Sequence, residues 1–232
     1  MADPMQLRAI EPIARSSIAD QVFDILYAQV LSLELPPGTK MSEAEVAKQL
    51  DVSRQPVRDA FYRLSQLGFL VVQPQRATTV SQISAHDVFK ARFVRTAIEV
   101  EIIRKACEVL TEAQIAELDQ MLTRQQAAVD AGDRTGFHQL DDMFHKMICD
   151  AAGLSFAWAV IRENKAHTDR VRYLSLAFAS QTALDDHRAI MDAVKARDPE
   201  RAEQCVRNHL SRIEGIIERL RAENHAWFAE ED

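Results

Sequence analysis

Glycine and proline are scarce in this chain of 232 residues, at 6 and 7. So few breakers beside 47% apolar residues exclude a low-complexity or disordered chain and favour helix. There are three cysteines, Cys107, Cys149 and Cys205. An odd number without framework spacing excludes a disulfide scaffold and fits reduced thiols packed inside helices. No apolar run is long enough to span a bilayer, and the opening MADPMQLRAIEPIARSS lacks the apolar core of a signal peptide. A cytoplasmic location without a membrane partner is therefore expected. Basic charge is not in excess either, since the formal net charge is −7. The charge is unevenly shared, however. Residues 1–82 hold 8 basic and 9 acidic side chains, so the N-terminal third is near neutral and the remainder carries most of the negative charge. Arg54, Arg58, Arg63 and Arg76 lie in that third, on one expected face. A local patch sets the attraction for phosphate once other charges lie beyond a Debye length of about 10 Å, so net acidity does not exclude a nucleic-acid partner.

The length suits one large or two ordinary domains. Residues 1–15 read as a tail. Ser17 to Leu35 reads as an amphipathic helix with Ile18, Val22, Ile25, Leu26, Gln29 and Val30 at helical spacing, stopped by Pro36-Pro37-Gly38. Ser42 to Gly68 then reads as two short helices with a tight break. Ser42 and Glu45 have capping-box spacing, and Val46, Ala47 and Leu50 point inward on the first helix. Asp51 stands where the chain turns, and Ser53 is placed to cap a second helix with Val57, Ala60, Phe61 and Leu64 inward. That second helix offers Arg54, Gln55 and Arg58 at its start, as a helix entering a major groove does. An ordinary helical hairpin with surface arginines has the same spacing. Two β-rich runs follow, Phe69 to Gln73 and Thr78 to Ser81, joined across Pro74-Gln75-Arg76-Ala77. They form a wing whose tip, Arg76, can reach the backbone or the minor groove.

After Ser84 there is no strand signal. Helices are expected from Ser84 to about Val109, from a Thr111/Gln114 capping box to about Ala131, and from Thr135 to Ala152. Three more follow over Ser155–Ala177, Thr182–Ala196 and Pro199–Glu223, the last opened by Asp198-Pro199. The expected fold is mainly α, with residues 16–82 as a winged helix-turn-helix and residues 83–232 as an antiparallel helical bundle.

The bundle carries one chemical constellation. Asp141 and His145 lie four apart on one helix face. His187 and His209 stand 11 residues either side of Asp198, hence at equal height on an antiparallel hairpin. Three imidazoles and a carboxylate suit Zn²⁺ or a similar divalent transition ion. His138 and Asp142 share the same helix, so spacing alone leaves the ligand set open. Arg95, at the edge of an apolar stripe with Glu99, fits either an anion or a carboxylate partner, and Arg170 and Arg172 pose the same choice. Neither a Gly-x-Ser-x-Gly elbow nor a His-Glu-x-x-His helix occurs, so an enzyme is not expected.

LPPGTKMSEAEVAKQLDVSRQPVRDAFYRLSQLGFL resembles the winged-helix domain of GntR-family bacterial transcription regulators. The helical remainder is similar to the FCD domain of the FadR-like branch, through Asp141-Asp-Met-Phe-His145, His187-Arg-Ala-Ile and His209-Leu210. The resemblance implies metal ligands at Asp141, His145, His187 and His209, and DNA contacts at Ser53, Arg54, Gln55 and Arg58, with the wing around Gln75 and Arg76. It places an effector carboxylate near Arg95 and Arg172. Two residues depart from the pattern. Ala77 stands where the wing usually has glycine, and Ala44 where some relatives have a DNA-contacting arginine. The implied protein is a homodimeric repressor of a palindromic double-stranded DNA operator. Its implied effector is a small carboxylate, a sugar acid or organic acid, bound at a divalent metal, zinc first and nickel among the others. A metal sensor without an organic effector and a metal-dependent hydrolase are the alternatives.

Overall fold

The computed structural model describes residues 17–73 and 77–230. The expected N-terminal tail and the wing-tip residues Gln75 and Arg76 lie outside them. The chain divides into two compact units, one holding the described residues up to Gln29 and Thr39–Ser81, the other Val30–Gly38 and the residues from Gln82 onward.

Helix α1 (Ile18–Leu31), all but its last two residues in the first unit, buries Val22 and Leu26. It stops four residues short of the expected Leu35. Leu33 takes a positive φ of 62°, and the prolines beyond it disfavour helix in the residue before them. Ile18 and Ile25, expected inward, are exposed. Helix α2 (Glu43–Gln49) starts on Ser42, whose hydroxyl accepts from the Glu45 amide at 3.2 Å. Val46 and Ala47 are buried, and Leu50 is half-buried. Asp51 makes the turn at φ 53°, a conformation that short polar side chains tolerate. Helix α3 (Arg54–Gln66) buries Val57, Ala60, Phe61 and Leu64, as its spacing requires. Ser53 sits at the capping position with extended backbone, yet its side chain makes no capping hydrogen bond. That corrects the sequence reading and leaves the hydroxyl uncommitted to the helix end.

Strands β2 (Leu70–Val71) and β3 (Thr78–Val80) pair antiparallel, Leu70 opposite Val80. A strand not foreseen, β1 (Lys40–Met41), pairs on the other side of β3, so the order is β1-β3-β2. Two residues beside a Pro-Pro-Gly break carry no period that could reveal a strand.

The second unit is helical: α4 (Ala85–Val109), α5 (Glu112–Asp130), α6 (Arg134–Ala151), α7 (Ser155–Lys195), α8 (Pro199–Ser211) and α9 (Ile213–Glu223). Ser84 caps α4 through the Asp87 amide, and Thr111 with Gln114 makes the full reciprocal capping box of α5. Gly132 and Gly153, at φ 66° and 75°, end α5 and α6. Two expectations are corrected. The helices expected over 155–177 and 182–196 are one helix of 41 residues. No glycine or proline interrupts it, and the Ser180 hydroxyl is satisfied by the Leu176 carbonyl one turn back. The single helix expected over 199–223 is instead two, separated at Arg212. After α9 a short 3-10 turn (His225–Trp227) leads to Phe228, which bridges Ile83.

The main core runs along α4–α8, with Phe137, Phe144, Ile161, Leu184 and Ile190 fully buried. Two of the cysteines, Cys107 and Cys149, lie in it as free thiols. Among the described residues no helix is long and apolar enough to cross a membrane.

Candidate DNA interface and metal centre

The start of α3 presents the side chains the sequence singles out. Arg54 and Arg58 are 64% and 57% exposed. Both reach Glu43, the first residue of α2: Arg54 Nη2 at 3.3 Å and Arg58 Nη2 at 3.1 Å from its Oε2. Gln55 donates from Nε2 to Asp59 Oδ1 at 2.8 Å. Arg63, grouped with these by sequence, points elsewhere. Its guanidinium lies 3.9 Å over the Phe23 ring and donates to Asp20 on α1 at 2.8 Å. Nine residues on from Arg54 is half a turn out of phase, so the two occupy opposite helix faces.

In the second unit, α6, α7 and α8 bring Asp141, His145, His187 and His209 together, one ligand atom from each lying within 4.8 Å of the others. Asp141 and His187 are fully buried. His187 Nε2 is 3.5 Å from Asp141 Oδ1, and His145 Nε2 is 4.0 Å from Asp141 Oδ2. The orientation of each imidazole is set from behind. Gln125 donates from Nε2 to the Leu140 carbonyl at 3.1 Å, so its Oε1 is the acceptor, and His187 Nδ1–H donates to it at 2.8 Å. His145 Nδ1 faces Glu99 Oε2 at 2.8 Å, and His209 Nδ1 faces Asp186 Oδ2 at 3.4 Å. Each acceptor fixes the tautomer with the proton on Nδ1 and leaves Nε2 as a lone-pair donor, as metal-binding histidines require.

For His187 and His209 the electrostatics agree with that assignment. Burial pushes the His187 pKa well below the usual histidine value, outweighing the pull of Asp141, and burial likewise lowers that of His209. Burial opposes ionisation of Asp141, but the Arg172 guanidinium beside it holds its carboxyl well below the usual range. For Asp186, burial is outweighed by hydrogen bonds to His209 and Arg212, which bring it down to about 2. Asp141 Oδ1, His145 Nε2 and His187 Nε2 are all buried without a hydrogen-bond partner. An unsatisfied buried polar group costs about 1–3 kcal/mol, so three at one point favour a bound cation. A nitrogen-rich set of four donors with vacant lone pairs fits a divalent transition ion such as Zn²⁺.

His138 and Asp142, which spacing alone could not exclude, fall into a neighbouring group with Asp169. That group already contains a cation: Lys165 Nζ lies 2.8 Å from Asp142 and 2.5 Å from Asp169. An ammonium seated between the carboxylates makes it a poor metal site. Arg172 joins the two groups, pairing closely with Asp141 and lying 3.7 Å from both Asp142 and Asp169.

Beside the histidines opens a cavity of about 440 Å³, within the range of small-molecule sites. Arg95 and Arg172, the sequence-nominated anion binders, line it with His209, Arg212 and the hydroxyl residues Thr168 and Ser175. Arg95 is buried and uses its Nε on Glu99 Oε1 at 2.6 Å. Arg212, at the α8–α9 break, is clamped by both oxygens of Asp186.

Sequence reasoning missed Gln125, Asp186, Arg212 and Glu43, and saw Glu99 only as a partner for Arg95. Gln125 carried a readable signal. It occupies a core position of α5, in register with Leu118, Met121, Leu122 and Ala128, where a glutamine needs a reason. The others become visible only through contacts distant in sequence.

The chain is 36% identical over 228 residues to "HTH-type transcriptional repressor RspR" of Escherichia coli (strain K12), covering 97% of this chain and 98% of the relative. It is 31% identical over 206 residues to "Probable D-xylose utilization operon transcriptional repressor" of Paenarthrobacter nicotinovorans, covering 86% and 88%. Among solved structures, E. coli McbR/YncC superposes with a TM-score of 0.73 at 23% identity, over 89% of this chain and 99% of that one, which shows the shared fold. Residues 18–80 match "Bacterial regulatory proteins, gntR family", and residues 91–212 match "FCD domain". These relatives are regulators by name and not enzymes. With a helix-turn-helix that presents two arginines and a following helical unit that spans the FCD match, the chain belongs to the GntR family of transcription regulators, with an FCD domain.

Proposed function

We propose that this regulator is a homodimeric repressor whose grip on a palindromic operator is set by a small carboxylate bound beside a divalent metal. Ser53, Arg54, Gln55 and Arg58 read the DNA, with Gln75 and Arg76 at the wing. Two-fold symmetry in such proteins mirrors the palindrome of the site. Asp141, His145, His187 and His209 hold the metal, zinc in the first instance. When bound there, it supplies a Lewis-acid anchor for an oxygen of the effector.

The observation that carries this reading is the adjacency of two features. A buried donor set, with each imidazole aligned by its own acceptor, opens on a cavity lined by Arg95 and Arg172. Arg95 has given only its Nε to Glu99, so its outer donors remain for a carboxylate. Arg172 neutralises Asp141, Asp142 and Asp169 and lines the same cavity. A sugar acid or another organic acid of matching size would bring its carboxylate between these two guanidiniums and the metal. Effector control further requires that the acid bind the DNA-competent and DNA-free states with different affinity.

Elemental analysis and native mass spectrometry of the purified protein test the assignment. One transition-metal ion per chain, with a bound organic acid, is expected. Chains that neither retain nor take up zinc, nickel or manganese would refute the metal-anchored reading. If operator binding responds to metal alone and to no acid, the protein is a metal sensor.

A further inference from the structure

The two arginines offered to DNA at the start of α3 are not free. Glu43 receives Arg58 Nε at 3.2 Å on Oε1 and 3.3 Å on Oε2, and Arg58 Nη2 at 3.1 Å on Oε2. The same Oε2 accepts from Arg54 Nη2 at 3.3 Å. One carboxylate on α2 thus holds two guanidiniums on α3, across the turn between the helices. Gln55 is restrained in a similar way by Asp59.

Stability does not explain this arrangement. Exposed ion pairs contribute about 0–1 kcal/mol, and Arg54 and Arg58 are mostly in solvent. A protein built to maximise attraction for phosphate would leave both cations unpaired. The geometry has two consequences for reading bases. Glu43 occupies the Nε–Nη2 edge of Arg58, which leaves the Nη1–Nη2 edge for a paired acceptor such as guanine O6 and N7. It also cancels part of the positive charge that would otherwise go to any phosphate within reach.

We propose that Glu43 is a positioning residue for DNA reading, which holds Arg58 and Arg54 in a base-reading pose and lowers sequence-independent affinity in exchange for discrimination. This rests on the assignment of Arg54 and Arg58 as DNA contacts.

The test uses the full-length protein. Wild type first selects its preferred sequence from a random-sequence duplex pool. Affinities of wild type, Glu43→Gln and Glu43→Asp are then measured by fluorescence anisotropy on the selected duplex and on a scrambled duplex, from 50 to 300 mM KCl. Glu43→Gln keeps size and removes charge. An arginine released to one further phosphate steepens the slope of log K against log salt by about 0.9, equivalent to about fivefold tighter non-specific binding near 0.15 M salt. Glu43→Gln is therefore expected to bind the scrambled duplex about fivefold more tightly, with the selected-to-scrambled ratio falling at least as much. Glu43→Asp retains the charge and is expected to bind the scrambled duplex as wild type does. An unchanged ratio and slope in Glu43→Gln, or equal loss of affinity for both duplexes, overturns the proposal, as does an equal rise in Glu43→Asp. If wild type selects no sequence at all, the DNA-contact assignment itself fails. If it selects one and Glu43→Gln preserves the ratio, only the role of Glu43 fails.

Discussion

Replacing Gln125 by methionine probes how far the proposed metal centre depends on a residue that is not itself one of the proposed ligands. Gln125 is fully buried and makes two hydrogen bonds, donating to the Leu140 carbonyl and accepting from His187 Nδ1. Methionine fills nearly the same volume and supplies neither. Leaving the buried His187 Nδ1–H without an acceptor should cost the metal-free protein about 1–3 kcal/mol. The distinct effect is on metal. Without an acceptor at Nδ1, nothing fixes the His187 tautomer or ring orientation, and loss of such a partner lowers metal affinity about 10–100-fold. That is about 1.4–2.8 kcal/mol, since each 1.4 kcal/mol is tenfold in affinity. At matched metal concentration, the metal-induced rise in Tm should shrink by about 3–11 °C, taking roughly 2–4 °C per kcal/mol for a unit of this size. Titration calorimetry of chelator-stripped protein gives the affinity, and differential scanning calorimetry with and without zinc gives the rise, each read against that variant's own metal-free state. Wild-type zinc affinity in Gln125→Met would refute the claim that the Nδ1 partner orients the ligand.

Further outcomes follow from the caps, the readers and the thiols. Ser42→Ala removes a cap bond and should cost about 1 kcal/mol, seen as roughly fivefold faster hydrogen exchange in α2. Ser53→Ala removes no such bond and should change exchange in α3 by less than about 0.5 kcal/mol, while weakening DNA binding. A large exchange effect at Ser53 would show that its hydroxyl caps the helix after all. Arg58→Ala should lose about 1–3 kcal/mol of discrimination at one base position, measured by competing duplexes with single changes. Burial pushes the Cys149 thiol up to about 12, so its thiolate fraction at pH 8 is about a thousandth of that of a thiol at the reference 9.0. Cys149 should stay unlabelled by a thiol-exchange reagent in the native protein at pH 8 and react on unfolding. Labelling at the free-thiol rate would contradict its packing.

Much of this protein was legible in its sequence, and the exceptions have physical causes. The helix-turn-helix could be read because capping residues, the turn at Asp51 and the apolar spacing of α3 all act within a few residues. The grouping of the histidines could be read because Asp198-Pro199 fixes a hairpin turn, and equal distances from it imply equal heights. What could not be read depends on long-range packing. The continuity of α7 through residues 178–181 is decided by neighbours on the bundle, since the local residues permit either outcome. The break at Arg212 has no local breaker, and the guanidinium is instead drawn to Asp186 on α7. Arg63 appeared to belong to the DNA face until α1 supplied Asp20 and Phe23. The histidine partners Glu99, Gln125 and Asp186 sit on three different helices, so no spacing rule joins them to their ligands.

Occupancy beside the buried histidines is proposed to control the hold on DNA. This is tested by the dissociation constant for the duplex selected by wild-type protein, taken with zinc-loaded and with chelator-stripped protein across a panel of aldonic acids and dicarboxylates. At least one acid is expected to weaken binding by fivefold or more, the lower end of typical site-to-site coupling, and only when the metal is present. An operator affinity that stays constant across the panel, with and without metal, would contradict it.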